Sequence, residues 1–270
     1  MLSTDFDAKA VKEQIVLWIR SWFERNGKDC NAVIGISGGK DSTVAAALCV
    51  EALGKDRVFG LLMPNGEQPD IDDSYVVCDC LGIRFFESDI HEAFRNVLFN
   101  VDYDLARLQL ERTEQTTVNL APRIRMCFLY AYAQSMNGLV VNTCNLSEDY
   151  VGYSTKYGDT AGDFAPLKSL TSDEVIAVGE VLGLPEKLLK KAPSDGLCGK
   201  TDEDNLGFTY EVLNRYIRAG EISDMAAKER IDRLHLVNEF KEKPMERFVL
   251  HPEERIYLTE NTDKEMIRCG

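Results

Sequence analysis

The sequence predicts an α/β fold: a doubly wound, mostly parallel sheet with helices on both faces. Three observations predict it. Short apolar runs alternate with longer stretches of helical periodicity along the chain. Several of those runs are apolar at successive positions, the pattern of strands buried on both faces. The first run passes directly into a Gly- and Ser-rich turn and then an Ala-rich helix, the order expected of a parallel strand–helix unit.

The elements follow in order. Residues 11–23 place Ile15, Trp18, Ile19 and Trp22 at helical spacing. Residues 31–36 form a nearly all-apolar first strand, 37–42 a turn, and 43–53 a helix ended by Gly54. A second strand spans 57–63 and stops at Pro64; a helix with an acidic first turn spans 70–81. Residues 83–86 read as a third strand and 90–98 as a helix. A long helix covers 116–136, with Pro122 as its kink or start, and 138–143 is a fourth strand. From 146 to 167 periodicity is lost, and a loop that long in a compact domain marks function. Helices resume at 172–182, 202–218 and 225–240, with the glycine-bearing segment 193–201 read as a movable lid. No repeat or linker interrupts the pattern, so 1–270 reads as one domain. Ligands of such sheets sit beyond the carboxyl ends of the strands. There the segments 35–42, 64–73 and 143–163 would converge.

Composition narrows the function. Lys and Arg number 31 against 45 Asp and Glu, a net charge of −14. That balance opposes nucleic acid as a partner and opposes a polybasic membrane anchor, yet it allows a small basic pocket for a phosphorylated metabolite. No apolar run is long enough to span a membrane, and the first residues, with Asp5 and Asp7, lack the order of a secretion signal. Of the eight cysteines, Cys49, Cys127 and Cys144 lie in apolar patterned segments, as buried free thiols do. Cys78 and Cys80 form a lone pair without zinc-ligand spacing. A reducing cytoplasmic location is the expectation.

The chemistry concentrates in Gly35, Ile36, Ser37, Gly38, Gly39, Lys40, Asp41 and Ser42. Glycines between a strand and a helix let the backbone approach an anion while the helix N-terminus points amides at it. Ser37 and Ser42 add hydroxyls and Lys40 a charge. The segment lacks the hydroxyl residue that a P-loop places after its lysine, and it lacks the dinucleotide fingerprint. The bland reading is a tight turn that uses Gly and Ser for geometry alone. Asp41 beside a polyphosphate makes sense if Mg2+ lies between them, which calls for a second carboxylate from another strand end. Glu148 is that candidate; on spacing alone, a role in capping a helix at 146–149 is an equal reading.

Residues 37–42 resemble the phosphate loop of the N-type ATP pyrophosphatases, which split ATP between its α and β phosphates and adenylylate an oxygen. Within that superfamily the chain resembles the ammonia-dependent NAD synthetases. The resemblance rests on Pro122-Arg-Ile-Arg-Met126, Asn142-Thr-Cys-Asn-Leu-Ser-Glu148, Gly152-Tyr-Ser-Thr-Lys-Tyr-Gly-Asp159, Asp163-Phe-Ala-Pro-Leu167, Pro193-Ser-Asp-Gly-Leu197 and Thr201-Asp-Glu-Asp-Asn-Leu-Gly207, in family order. It implies an adenine nucleotide alpha hydrolase-like fold. It also implies that ATP binds at residues 35–42, Thr143 and Ser194, that Mg2+ is held by Asp41 and Glu148, and that deamido-NAD is held by Arg123, Lys156, Asp163 and Lys241. Read from the residues alone, Arg123 is a solvated charge on a helix face and Lys156 a surface charge on a loop.

The implied reaction amidates deamido-NAD with ammonia to give NAD, AMP and pyrophosphate through an adenylylated nicotinate carboxylate. Asp41, Lys40 and Glu148 would serve the phosphates, and Asp159 would take a proton from ammonium. Only about thirty residues precede the phosphate loop, so no glutamine amidotransferase domain is expected there and free ammonia is the expected donor. The family implies a homodimer. Three positions depart from its pattern: Ser172, with Lys168 nearby, stands where an ATP-contacting Lys is common; Ser194 replaces a Thr; Glu239-Phe240 replaces a His-Lys pair, leaving Lys241 as its substitute. The alternatives are a tRNA-modifying member of the superfamily and a non-catalytic adenine-nucleotide-binding regulator.

Overall fold

The computed structural model describes residues 6–191 and 202–248. Its strands are β1 (Asn31–Gly35), β2 (Val58–Leu62), β3 (Arg84–Glu87) and β4 (Gly138–Val140). They form one sheet in the order β3-β2-β1-β4. Every pairing is parallel: Val33 lies opposite Phe59 on one side and Val140 on the other, and Gly60 lies opposite Phe85. The helices are α1 (Ala8–Asn26), α2 (Lys40–Leu53), α3 (Ile71–Leu81), α4 (His91–Arg107), α5 (Glu114–Ser135) and α6 (Leu146–Val151). They continue with α7 (Ser172–Val181), α8 (Glu186–Leu189), α9 (Asp202–Leu206), α10 (Tyr210–Ala219) and α11 (Met225–Asn238).

The unbroken apolar strands are explained by cover on both faces. On β1, Ala32 and Ile34 point into a core with Ile19 and Phe23 of α1, Val44 and Leu48 of α2, and Val175 and Val178 of α7. Val33, between them, points into a separate core with Ile124, Leu129 and Ala133 of α5. Period-two alternation thus buries Ala32, Val33 and Ile34 of β1 and all of β2 without a polar face, while the edge strand β3 stays exposed. A third cluster of Val151, Phe208, Leu213 and Ile231 ties α6, α10 and α11 together.

Chain order places the functional crevice. From β1 the chain steps outward to β2 and β3, then returns through α4 and α5 to lay β4 on the far side of β1. The reversal leaves a gap at the carboxyl ends of β1 and β4, where sheets of this kind accept ligands. The segments expected to converge do so. A Cβ added to Gly38 would come within 2.8 Å of Asp73 Cβ, and Asn145, just beyond β4, bonds Asp41.

Several expectations need correction. α2 starts at Lys40 rather than at 43, because its polar first turn adds nothing to the apolar stripe. α4 runs to Arg107 instead of 98, since its second half leaves Phe99 and Tyr103 exposed and shows no core periodicity. Pro122 lies inside α5 rather than at its start. β4 ends at Val140, leaving only a single bridge from Val141 to Phe164. The loop read over 146–167 begins with a helix, α6. The helix read over 202–218 is two, α9 and α10, parted at Gly207, whose φ is +77°. Cys127 is exposed, whereas Cys49 and Cys144 are buried as expected.

Phe164 joins the sheet edge to α1. Its ring stacks on Trp22 at 4.7 Å and meets Phe23 edge-on at 5.2 Å, and only 5% of its surface is exposed. Phe164→Ala should therefore lower unfolding free energy by about 3–5 kcal/mol in urea titrations. A loss under about 1 kcal/mol would mean that the aromatic cluster re-closes without it.

Candidate active site

The phosphate loop is shaped by its own hydroxyls. Ser37 N and Oγ lie 3.3 and 3.2 Å from Ser42 Oγ. Gly39 N donates to Ser37 Oγ at 3.3 Å, and Thr43 Oγ1 donates to the Gly39 carbonyl at 2.7 Å. Ile36 extends the strand pairing through its amide, which bonds the Leu61 carbonyl at 3.0 Å, while its side chain is core. Gly35 packs against Met63 and Leu129. Gly38, at φ +76°, makes the turn that other residues resist. Gly39 caps α2 without any side-chain acceptor, so the first-turn amides of Lys40, Asp41 and Ser42 have no capping side chain. These amides, at a helix N-terminus in the crevice, suit a polyphosphate.

Opposite charges gather beside that terminus. Lys40 Nζ sits 2.7 Å from Asp41 Oδ2 and 6.0 Å from the Tyr210 ring centre, and the residue is only 8% exposed. Burial works to lower the pKa of its amine, but Asp41, Glu148 and Asp202 outweigh burial and the net shift is upward. Tyr210 donates its hydroxyl to Asp202 Oδ2 at 3.3 Å. Burial first, then the charges of Glu148 and Asp202, push its phenol well above the usual range.

Glu148 projects from the first turn of α6 into the same group. The capping role weighed for it belongs to Asn145, whose Oδ1 accepts Ser147 N and Glu148 N at 3.0 and 3.1 Å. Burial, followed by repulsion from Asp41, pushes the Glu148 carboxyl up to about 8. Paired carboxylates whose charges oppose each other fit a hard divalent cation. Among the described residues no cluster of three or more His, Cys, Asp or Glu could hold a metal alone. Two carboxylates alone leave most of the coordination shell of such a cation open to other oxygen donors.

Asp159 lies in the loop beyond α6, reached by solvent yet hemmed in by protein atoms. Burial raises its pKa against a 2.7 Å hydrogen bond from Thr155 N that lowers it. Arg125, given no site role from sequence, feels the Asp159 charge and donates Nε to the Met63 carbonyl at 3.0 Å.

The outer residues form a separate group. Arg123 Nε donates to the Lys156 carbonyl at 3.2 Å. Lys156 Nζ donates to the Phe240 carbonyl at 2.8 Å and lies 4.9 Å from that ring's centre. Lys241 Nζ donates to the Gly152 and Ser154 carbonyls at 2.6 and 2.9 Å and faces Asp159 electrostatically. Asp163 lies at the edge of β4, its Oδ2 accepting Val140 N at 2.6 Å. Thr143 is half-buried just past the Val141 bridge. Ser194 and the lid read over 193–201 lie outside the described residues, as does the segment around them. Ser172 belongs to a buried polar cluster, its hydroxyl accepting from Asn214 Nδ2 at 3.1 Å, and Lys168 pairs with Asp149 at 3.1 Å and with Glu242.

Asn145, Asp202, Tyr210 and Arg125 join the site without a role expected from the sequence. The signal for Asn145 was present, because Asn is a preferred N-cap and stands three residues before Glu148. Nothing local marks the other three.

A family model described as NAD synthase matches residues 11–248. The chain belongs to the NAD synthase family. An NH3-dependent NAD(+) synthetase of Pyrococcus furiosus is 40% identical over 206 residues, 76% of this chain and 77% of that protein. Its counterpart in Finegoldia magna is 37% identical over 233 residues, 86% and 92% of the two chains. Among solved structures, an NMN synthetase from Francisella tularensis superposes with a TM-score of 0.80 at 34% identity, covering 90% of this chain and 99% of that one. An NH3-dependent NAD synthetase from Campylobacter jejuni, complexed with nitrate, gives 0.72 at 29% identity, covering 90% and 100%. The NAD synthase fold is thus the doubly wound sheet that the sequence predicts.

The Glu148 carboxyl ionises at 4.5 ordinarily and at about 8 in the fold. The folded state holds the extra proton across that window, so its stability falls as pH rises through it. In metal-free protein, Glu148→Gln should therefore gain melting temperature over the native chain as pH rises to about 8, with a plateau above. An offset independent of pH would refute the shifted carboxyl.

Proposed function

We propose that this chain amidates deamido-NAD with ammonia and ATP, giving NAD, AMP and pyrophosphate, the last step of NAD formation. The observation that carries the reading is the family match over residues 11–248, which spans both Asp41 at the uncapped N-terminus of α2 and Glu148 in the first turn of α6. Asp41 and Glu148 would hold Mg2+ on the ATP phosphates. When bound, the ion neutralises phosphate charge and steadies the leaving pyrophosphate.

The remaining steps fall to the chain's own groups. Amides of residues 39–42 and the Lys40 ammonium gather the departing pyrophosphate while a nicotinate oxygen attacks the α phosphorus. Ammonia then attacks the activated carbonyl carbon, its nitrogen gives up a proton to solvent, and AMP leaves with the bonding electrons. Ammonium must first lose a proton, and in this reading the Asp159 carboxylate, made more basic by burial, takes it. No protein nucleophile is needed, because positioning supplies most of the rate. Thr143 and Ser194 complete the ATP contacts in this reading, and Arg123, Lys156, Asp163 and Lys241 hold the dinucleotide.

The chain acts in this reading as a cytoplasmic homodimer. The described cysteines are all free thiols, and no helix among the described residues is long and apolar enough to cross a membrane. A second copy is expected on α4, which exposes Phe99, Tyr103 and, just past its end, Leu108 and Leu110. Phe99→Asp with Tyr103→Asp should halve the mass measured by light scattering; a native protein already monomeric would remove the dimer from the reading.

One observation favours a smaller acceptor. The Francisella tularensis neighbour is an NMN synthetase, and the turn at Glu239–Lys241 occupies Lys156 through the Phe240 carbonyl. Nicotinic acid mononucleotide is accordingly the second candidate. Pure protein with ATP, Mg2+ and ammonium should make NAD one for one with AMP from deamido-NAD, with a higher kcat/KM than for the mononucleotide. Asp41→Ala should reduce the rate by a factor of about 100 or more. A tenfold preference for the mononucleotide would transfer the assignment to it, and AMP release without an amide product would sink both.

A further inference from the structure

The geometry points to Asn145 as a positioning residue that fixes Asp41 and Glu148 relative to each other before any ATP-bound cation arrives. The inference rests on reading those two carboxylates as the holders of that cation. Asn145 is fully buried, and each end of its amide has a separate task. Nδ2 donates to Asp41 Oδ1 at 3.0 Å. Oδ1 accepts Ser147 N at 3.0 Å and Glu148 N at 3.1 Å, capping α6. The orientation of the amide is settled by chemistry, since the two backbone N–H groups only donate and must face its oxygen.

One side chain therefore spans two helix N-termini, α2 with Asp41 and α6 with Glu148. Lys40 Nζ takes the other Asp41 oxygen at 2.7 Å, so the carboxylate is gripped at both ends and its plane cannot rotate freely. Each Asp41 oxygen keeps a further lone pair for a cation. The far side of α6 is held as firmly: Ser147 Oγ donates to Asn214 Oδ1 at 2.5 Å and accepts Ser172 N at 2.9 Å. With α6 pinned from behind, the reach from Asp41 to Glu148 is set by Asn145. A helix cap alone would need only the Oδ1 half of this residue. The Nδ2 half contributes nothing to the helix and is directed at a residue of the site.

The two halves can be separated by substitution. Asn145→Ser keeps a good N-cap but is too short to reach Asp41, whereas Asn145→Ala removes both functions. Mn2+ binding to the protein–ATP complex, followed by electron paramagnetic resonance, reads the site without turnover. The native chain, Asn145→Ser, Asn145→Ala and Asp41→Ala are compared, with thermal unfolding recorded for each. The expected result is a Mn2+ Kd about 10- to 100-fold weaker in Asn145→Ser, at a melting temperature close to native. Asn145→Ala should weaken binding comparably and melt lower. Native Mn2+ affinity in Asn145→Ser, with binding lost in Asp41→Ala, would overturn the positioning role while leaving the metal reading intact. Native affinity in Asp41→Ala would overturn the metal reading itself.

Discussion

A buried ammonium holds the site together. Asp41, Glu148 and Asp202 all bear on Lys40, and carboxylates crowded in a poorly solvated crevice repel one another strongly. Lys40 offsets part of that repulsion from within the first turn of α2, and Asn145 offsets more by donating to Asp41. Burial first, and then the repulsion that remains, raises the proton affinity of Glu148. Under the proposed reading, the charge crowded at this site is what a cation bound together with a polyphosphate would relieve. In that reading, nucleotide and cation would bind as coupled partners without any moving part.

The strength of that charge cluster depends on rigid backing. Behind α6, Ser147, Ser172, Asp173 and Asn214 form a buried hydrogen-bonded set. Next to it, Arg218 donates Nε to Glu174 Oε1 at 2.8 Å and pairs with the other oxygen, while the Glu174 carboxylate also accepts Thr171 N at 2.8 Å to close the capping box of α7. Such a network, with its partners matched, fixes a helix more sharply than apolar contact does. Three polar layers thus stand in line: a core network, a helix cap and a charged site.

The sheet and the phosphate loop were legible in the sequence because their signals are local. An unbroken apolar run such as 31–36, a glycine turn and an Ala-rich helix are each complete within a few residues. The superfamily resemblance and the convergence at the strand ends followed from them. The links between elements were not legible. Asn145 meets Asp41 across 104 positions of sequence, and Arg125 meets the Met63 carbonyl across 62. The extended end of α4 was hidden for another reason: a helix whose apolar residues face outward carries no core stripe for periodicity to detect.

The free margin of the sheet has a consequence for how copies of the chain can meet. β3 is four residues long, with Arg84 and Glu87 at its ends. The Arg84 guanidinium lies 4.3 Å from the Phe59 ring centre, and Glu87 is tethered by Tyr75. A strand so short and so bracketed by charge offers a poor template for another strand. Intermolecular β-pairing, the route by which exposed sheets grow into fibres, is thereby closed on that side, and association is directed to the helical surfaces.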